Sequence, residues 1–131
     1  MRRRAFIEGI AVLTAALPFV ARAQSVPPMV GYLAQAKPEE GITALVAANR
    51  NGLSETGLVE GKDYISEFRS AGGDANLLPG LSSELVQHGA AVVMTLDTLA
   101  AARAAKAVTT AAPIVFATGA DPLRARLVES L

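Results

Sequence analysis

Short runs of β-forming apolar residues alternate along the chain with longer segments in which apolar residues recur at helical spacing. The short runs predict buried strands, and the longer segments predict amphipathic helices. Four strands are expected, at residues 29–33, 63–69, 90–95 and 113–118. Helices are expected at residues 39–56, 77–88 and 98–108, and a further helix is expected to begin at Asp121 and Pro122.

Residues suited to helix ends separate these elements. Gly57 and Gly89 follow two of the helices, Pro38 lies in a first turn, and Thr98 and Asp121 are of the types that cap helix N-termini. The alternation of strands and helices predicts a three-layer α/β fold, with a mostly parallel sheet and helices on both faces. The expected strand order is 2-1-3-4, in which the polar residues of the second strand suit an edge position.

Both ends of the chain carry distinctive patterns. Three arginines at positions 2–4, an apolar stretch at 10–20 and Ala21-Arg22-Ala23 before Gln24 predict a cleavable signal peptide at residues 1–23. The stretch is shorter than the roughly 20 residues that cross a bilayer, so a permanent anchor is the weaker alternative. The arginines followed by Phe6 and Ile7 also favour a twin-arginine signal, although Glu8 leaves the Sec and Tat export routes both open.

Residues 123–131 stay amphipathic to the last position without a helix-ending glycine or proline, which predicts a fragment or an early-terminated product.

Composition excludes several function classes. Removal of residues 1–23 leaves 8 basic residues against 11 acidic ones, a net charge of about −3, and no basic patch that would bind nucleic acid. The chain has no cysteine, which excludes disulfides and thiolate ligands, and no His, Asp and Glu residues recur at metal-ligand spacing. His88 beside Gly89 suits the negative end of a helix dipole better than catalysis. Asp97 follows the third strand, roughly where receiver domains accept a phosphoryl group, but the export signal argues against that role. No enzyme activity, metal or cofactor is expected.

A ligand site is expected where the strand order reverses, in the crevice above the carboxyl ends of the first and third strands. The loops at 34–37, 96–98 and 119–121 border this crevice, and the helix N-termini that follow them favour an anion. The candidate ligand-binding residues are Gln35, Ala36, Thr95, Thr98, Thr118, Gly119 and Asp121. Helix capping is the alternative role for Thr98 and Asp121, and a plain strand-end role is the alternative for Thr95 and Thr118. Lys37 either pairs with an anionic ligand or is simply solvated.

An ordered series of motifs resembles a known family. The series consists of the Arg-Arg-x-Phe-Ile start with Ala-Arg-Ala-Gln, Val30-Gly31-Tyr32-Leu33, Gly57-Leu58-Val59-Glu60-Gly61-Lys62-Asp63 with Ile65-Ser66-Glu67-Phe68-Arg69, Leu78-Pro79-x-Leu81 with Glu84-Leu85-Val86, and Ala112-Pro113-Ile114-Val115-Phe116 with Gly119-x-Asp121-Pro122. It is similar to the periplasmic substrate-binding proteins of ABC transporters, in the group that includes the tryptophan-type binding proteins with the periplasmic-binding type I fold. Residues 24–28 are a polar, proline-bearing leader by composition, and by the resemblance residues 29–131 are most of the first of two lobes.

The resemblance also implies a function. Such proteins hold a small molecule between two lobes and deliver it to a permease in the inner membrane, so an amino acid, in particular an aromatic one, is the implied ligand. The first-strand loop is implied to contact it, but here Ala34-Gln35-Ala36-Lys37 stands where family members often carry small hydroxyl residues. Two alternatives stay open: an exported ligand-binding sensor module that serves a signalling partner, and a non-functional truncated product.

Overall fold

The computed structural model describes residues 26–109 and 111–128, so the expected signal peptide at residues 1–23 lies outside the described part. The elements follow in the order β1 (Met29–Ala34), α1 (Thr43–Glu55), β2 (Ile65–Ser70), α2 (Leu78–Gln87), β3 (Ala90–Thr95), α3 (Leu99–Val108) and β4 (Ile114–Phe116). Short helical turns precede α1 at Pro38–Ile42 and α2 at Ala75–Leu77. The alternation predicted from the sequence is confirmed.

The strands form one parallel sheet in the order β2-β1-β3-β4, as predicted. Tyr32 at the centre of β1 is in register with Phe68 of β2 on one side and with Met94 of β3 on the other. β4 is aligned with β3 through the pair Thr95 and Phe116. The order reverses between β1 and β3, because the chain leaves β1 toward β2 and returns across β1 to reach β3.

Helices cover both faces of the sheet, which confirms the three-layer architecture. Tyr32 and Leu33 are neighbours in β1 and are both fully buried, but they lie in different cores. Tyr32 packs in the cluster that includes Ile42 and Val46 at α1, and Leu33 packs in the cluster that includes Leu78 and Leu85 of α2. A strand covered on both faces must be apolar at consecutive positions, which is why β1 lacks the alternation of a half-exposed strand.

Glycine at position 31 allows α2 to approach β1 closely. A methyl group built on Gly31 would lie 3.2 Å from Cδ2 of Leu85, 3.3 Å from its Cδ1 and 3.4 Å from the β-carbon of Ala90. The two distances to Leu85 are tighter than ordinary van der Waals contact, and the distance to Ala90 is at its lower limit. The missing side chain therefore fixes how near the second helix lies to the central strand.

The ends of α1 differ in how well the sequence predicts them. The regular helix begins at Thr43 and not at residue 39, because Gly41 has a φ of 93° and interrupts the helical backbone. At the other end, Gly57 has a φ of 91° and donates its N–H to Ser54 over 3.0 Å, and Leu58 donates its N–H to Leu53 over 3.1 Å. This pair of bonds is a Schellman motif, and it ends the helix at the glycine that the sequence indicates. Leu45 lies within the apolar pattern of the predicted helix, but it is 45% exposed in the structure.

The segment after β4 is shorter in regular structure than predicted. Residues 122–126 form a hydrogen-bonded turn instead of a helix, with Ala125 N–H on the Asp121 carbonyl over 3.0 Å. Arg126 has a φ of 56°, a left-handed conformation that ends the turn. Ala125 and Leu127 nevertheless bury themselves against Ala102 of α3, which anchors the segment. No helix within 26–109 and 111–128 is long and apolar enough to span a membrane.

Candidate functional site

The loops that follow β1 and β3 are joined by one carboxylate. Asp97 accepts the backbone N–H of Gln35 at 3.2 Å from Oδ1 and 3.0 Å from Oδ2, and it accepts the N–H of Ala36 at 2.8 Å from Oδ2. The two loops are 61 to 62 residues apart in sequence and meet at the reversal of strand order. This is the position where open parallel sheets bind ligands.

The backbone of the β1 loop is satisfied on its other side as well. The carbonyl of Gln35 accepts the N–H of Gly73 over 2.8 Å, and the carbonyl of Ala36 accepts the hydroxyl of Ser70 over 2.8 Å. All four backbone polar groups of Gln35 and Ala36 are therefore engaged within this chain. The loop is fixed between the β2 and β3 loops, and its side chains are what remain for contact with a ligand.

Thr98 connects helix capping to this loop. Its Oγ1 accepts the N–H of Ala101 over 3.1 Å, which caps α3 as the sequence predicts, and it donates to Oε1 of Gln35 over 3.1 Å. Gln35, Ala36 and Thr98, three of the candidates named from the sequence, are thus brought together around Asp97. The amide nitrogen of Gln35 is then the group that its side chain has left to offer.

The candidates in the β4 loop form a separate local arrangement. Thr118 Oγ1 accepts the N–H of Ala120 over 3.2 Å, and Asp121 Oδ1 accepts the N–H of Leu123 over 2.9 Å and of Arg124 over 3.4 Å. Asp121 thus caps the turn at 122–126, although no full helix follows. Gly119 lies exposed between these residues. The loop is held to the sheet by the N–H of Ala117, which is 2.9 Å from the carbonyl of Thr95.

Thr95 differs from the other candidates because it is closed off from solvent. It is 1% exposed, and its hydroxyl has no hydrogen-bond partner among the residues that the structure describes. Alternation along β3 puts its side chain on the same face as Val93, toward α2 and α3. Its backbone supports the β4 loop, and its hydroxyl lies within the protein.

Asp97 is the central residue that the sequence pattern did not identify as part of the site. It stands immediately before the capping residue Thr98, in a loop of the predicted crevice. Its partners are backbone amides far away in sequence, which no local pattern specifies. Its position between β3 and the cap of α3 is the one signal that was available.

The loops at the carboxyl ends of the strands contain three aspartates and one lysine. Asp74 in the β2 loop accepts the N–H of Asn76 over 3.0 Å, so each of Asp74, Asp97 and Asp121 is bonded to backbone amides of the chain. Lys37 is exposed, and its own N–H is bonded to Oε2 of Glu40 over 3.0 Å. The rim of the crevice is acidic by sequence, and its amides are largely occupied by the chain's own carboxylates.

His88 lies near the amino end of β3, at the opposite end of the strands from the crevice. Its Nδ1 is 3.0 Å from Oε2 of Glu67, the same oxygen that contacts Nη2 of Arg69 at 3.1 Å, and Arg69 also pairs with Glu84. The residue therefore contacts a surface ion-pair network formed by Glu67, Arg69 and Glu84, in addition to its place at a helix end. Within the described part of the chain, no three or more His, Cys, Asp or Glu residues are grouped as a metal site.

Comparison with known proteins gives one family and several similar folds. Residues 37–131 match the family model described as ABC transporter substrate binding protein. Among curated proteins, no sequence matches this chain significantly.

Solved structures of similar fold include proteins from three bacteria. The ABC domain in complex with L-Trp from Streptococcus pneumoniae superposes with a TM-score of 0.70 at 24% identity, over 81% of this chain. The ligand-free, open substrate-binding protein with adhesive properties from Clostridium difficile gives 0.70 at 21% identity over 79%. A conserved domain protein from Vibrio cholerae gives 0.71 at 25% identity over 81%. The chain spans about 35% of the length of each of these structures.

Proposed function

Because the chain belongs to the family of ABC transporter substrate-binding proteins, we propose that it forms most of the first lobe of a periplasmic solute receptor. The receptor captures a small, amino-acid-like molecule between two lobes and delivers it to a permease in the inner membrane. The observation that carries the proposal is the crevice at the β1 and β3 strand ends, where Asp97 fixes the β1 loop in place.

The arrangement of the site suits binding. The family is one of substrate-binding proteins and not of enzymes. The polar groups around the crevice hold backbone amides and cap helices, as Asp97 and Thr98 do, which produces a preformed surface. Preformed sites with a few well-placed polar groups are typical of small-molecule receptors.

The proposed ligand contacts come from the loops after β1, β3 and β4. Gln35 offers its side-chain amide, Thr98 and Thr118 are the nearby hydroxyl residues, and Gly119 and Asp121 border the far side of the crevice. Ala36 contributes an apolar surface beside Gln35. Thr95 supports the site from beneath, since its side chain is buried.

An amino acid is the proposed ligand class. One structure with a similar fold contains L-Trp, which supports the class and leaves the particular side chain open. Residues 1–23 provide the proposed export signal, with cleavage near Ala23, and the periplasm is the proposed compartment. The lobes of such receptors close on their ligand by hinge motion, so the second lobe supplies the other half of the contacts.

Isothermal titration calorimetry of the complete gene product that contains this chain tests the proposal. Titration with each of the standard amino acids is expected to give saturable heat for at least one, with a negative heat-capacity change as the crevice closes. A Thr98→Val variant of the same protein removes one of the proposed contacts and so reports whether the ligand binds at this crevice. Absence of heat for every amino acid, together with neighbouring genes that encode no permease or ATPase, would overturn the proposed function. Binding with a signalling gene as the neighbour would instead indicate a sensor.

A further inference from the structure

The carboxylate of Asp97 occupies the anion position that the strand order creates. The N–H groups of Gln35 and Ala36 converge at the β1 loop, and such converging amides attract negative charge. Asp97 Oδ2 is bonded to both, at 3.0 and 2.8 Å. A ligand carboxylate that approached these amides would have to displace Asp97 or lie beside it, and two carboxylates at one site repel each other strongly.

Asp97 is distinct from the other two rim carboxylates. Asp74 and Asp121 accept N–H groups two or three residues further along the chain, which is ordinary capping of the next turn. Asp97 instead reaches a different loop, across the proposed ligand crevice, and the contact is partly buried. Capping of α3 is performed by Thr98, so local helix structure does not require a carboxylate at position 97.

One acceptor position of Asp97 remains unused by the contacts described above. An ionised carboxylate has about four acceptor positions, and the two loop amides make three contacts with it. Oδ1 makes only the longest of these, at 3.2 Å to the N–H of Gln35. Oδ1 therefore has the capacity to accept a further hydrogen bond, such as one from a ligand.

We propose that Asp97 determines ligand specificity by presenting a fixed negative charge in the crevice, so that the ligand turns a cationic group, such as an ammonium, toward this lobe. This inference rests on the proposed function and names the chemistry of its site. A ligand carboxylate then binds away from the β1 loop. The pattern of helix N-termini alone predicts the reverse orientation, with an anion at these amides.

The first experiment uses acetate as a probe and needs no natural ligand. In an Asp97→Ala variant of the complete gene product, the amides of Gln35 and Ala36 lose their carboxylate, and added acetate is expected to occupy them. The expected result is a saturable increase in the thermal midpoint of the variant, with movement of the Gln35 and Ala36 amide resonances, and no such response in the wild type. Sodium chloride at equal ionic strength is the salt control.

A matched control variant is Asp63→Ala. Asp63 Oδ2 also accepts a backbone N–H, from Val59 over 2.8 Å, but in an exposed turn far from the crevice. Acetate is expected to leave this variant unchanged. No saturable response of Asp97→Ala to acetate would overturn the inference. If Asp97→Ala does not fold, the refolding yield in acetate against chloride gives the same readout.

The second experiment measures specificity with three probes: L-tryptophan, tryptamine, which lacks the carboxylate, and 3-(indol-3-yl)propionate, which lacks the ammonium. The wild type is expected to prefer tryptamine to the propionate. Asp97→Asn, which keeps the shape without the charge, is expected to reduce that preference about tenfold. A wild-type preference for the propionate, or an unchanged ratio in Asp97→Asn, would overturn the inference. If none of the three binds the wild type, the proposed amino-acid function is weakened, while the acetate result still decides the role of Asp97.

Discussion

Tyr32 donates its hydroxyl to Oδ1 of Asn49 over 2.6 Å and thereby connects the centre of the sheet to α1. The side chain of Tyr32 is fully buried, so this bond is the means by which a polar atom is accommodated in the α1 core. The pKa of Tyr32 is raised above its ordinary value of 10.0, chiefly because of burial, and further by Tyr64 and Glu60, while Arg50 opposes the shift.

Tyr32→Phe is expected to lower the free energy of unfolding by about 1 kcal/mol, because it leaves Oδ1 of Asn49 without this donor. Urea denaturation at neutral pH measures the loss. Tyr64→Phe is the control, since it removes a hydroxyl from the same core without touching the bond to Asn49, and a smaller loss is expected. An equal loss in both variants would show that the Asn49 bond is unimportant.

The raised pKa of Tyr32 also predicts a pH dependence. A tyrosine that ionises less readily in the folded state stabilises that state below the unfolded pKa and loses this contribution as the pH rises above about 10. Wild-type stability should therefore fall as the pH rises through that window, and Tyr32→Phe should fall less steeply. If the two proteins lose stability equally as the pH rises in alkaline denaturation, Tyr32 is not the source of the pH dependence.

Gly31→Ala is expected to destabilise the protein by about 1–3 kcal/mol, because the new methyl group crowds the side chain of Leu85. Gly52→Ala is its matched control: nothing lies within 4 Å of the added methyl group, and position 52 is inside α1. That control should stabilise by about 0.5–1 kcal/mol, since alanine favours a helix over glycine. The two substitutions are expected to change the free energy of unfolding in opposite directions, as measured by thermal or urea denaturation. An unchanged free energy of unfolding in Gly31→Ala would show that α2 moves away from β1 without cost.

Thr98→Ala is expected to cost about 0.5–2 kcal/mol, because α3 loses its N-cap and Gln35 loses a hydrogen-bond donor. Thr98→Ser keeps the hydroxyl and should retain nearly all of the stability. Urea denaturation compares the two. If the serine variant is as unstable as the alanine variant, the methyl group matters and the cap does not.

The chain of residues 24–131 is expected to self-associate through β4. Among the described residues, β4 pairs with β3 alone, and Val115 in this strand is 52% exposed. Unpaired apolar strand edges favour association, and a lysine there opposes it. Val115→Lys should therefore reduce the sedimentation coefficient at high concentration, whereas Leu45→Lys, on exposed α1, should not. A concentration-independent monomer in the unchanged chain would contradict this prediction.

The sequence predicts regular structure best where local signals are strong. The helix-ending Gly57, the cap at Thr98 and the apolar run at 90–95 all predict element ends that the structure confirms. The predicted start of α1 was wrong, because the sequence alone does not distinguish the break at Gly41 from a glycine that a helix tolerates. The expected helix at Asp121 was also wrong: its cap forms, but the left-handed backbone at Arg126 ends the turn.

The candidate site was predictable only to the level of its loops. The order of strands and helices along the chain is enough to locate the crevice of a parallel sheet, and hence Gln35 and Thr98. The bonds from Asp97 to the β1 loop depend on tertiary contact across more than sixty residues, so the sequence left the amides open to an anion from outside. The burial of Thr95 likewise follows from α2 and α3 covering that face of β3, which the pattern of a single strand does not reveal.

The hydrogen bonds between Asp97 and the β1 loop also affect the thermodynamics of ligand binding in the proposed receptor. A loop whose four backbone polar groups are already engaged has lost its conformational entropy during folding, before any solute arrives. Ordering of this half of the crevice then subtracts nothing from the affinity, in contrast to a flexible loop that must be immobilised by the ligand. In the proposed receptor, differences in affinity among solutes should therefore reflect the groups that the solutes present and the closing of the second lobe, and hardly at all a rearrangement of the β1 loop.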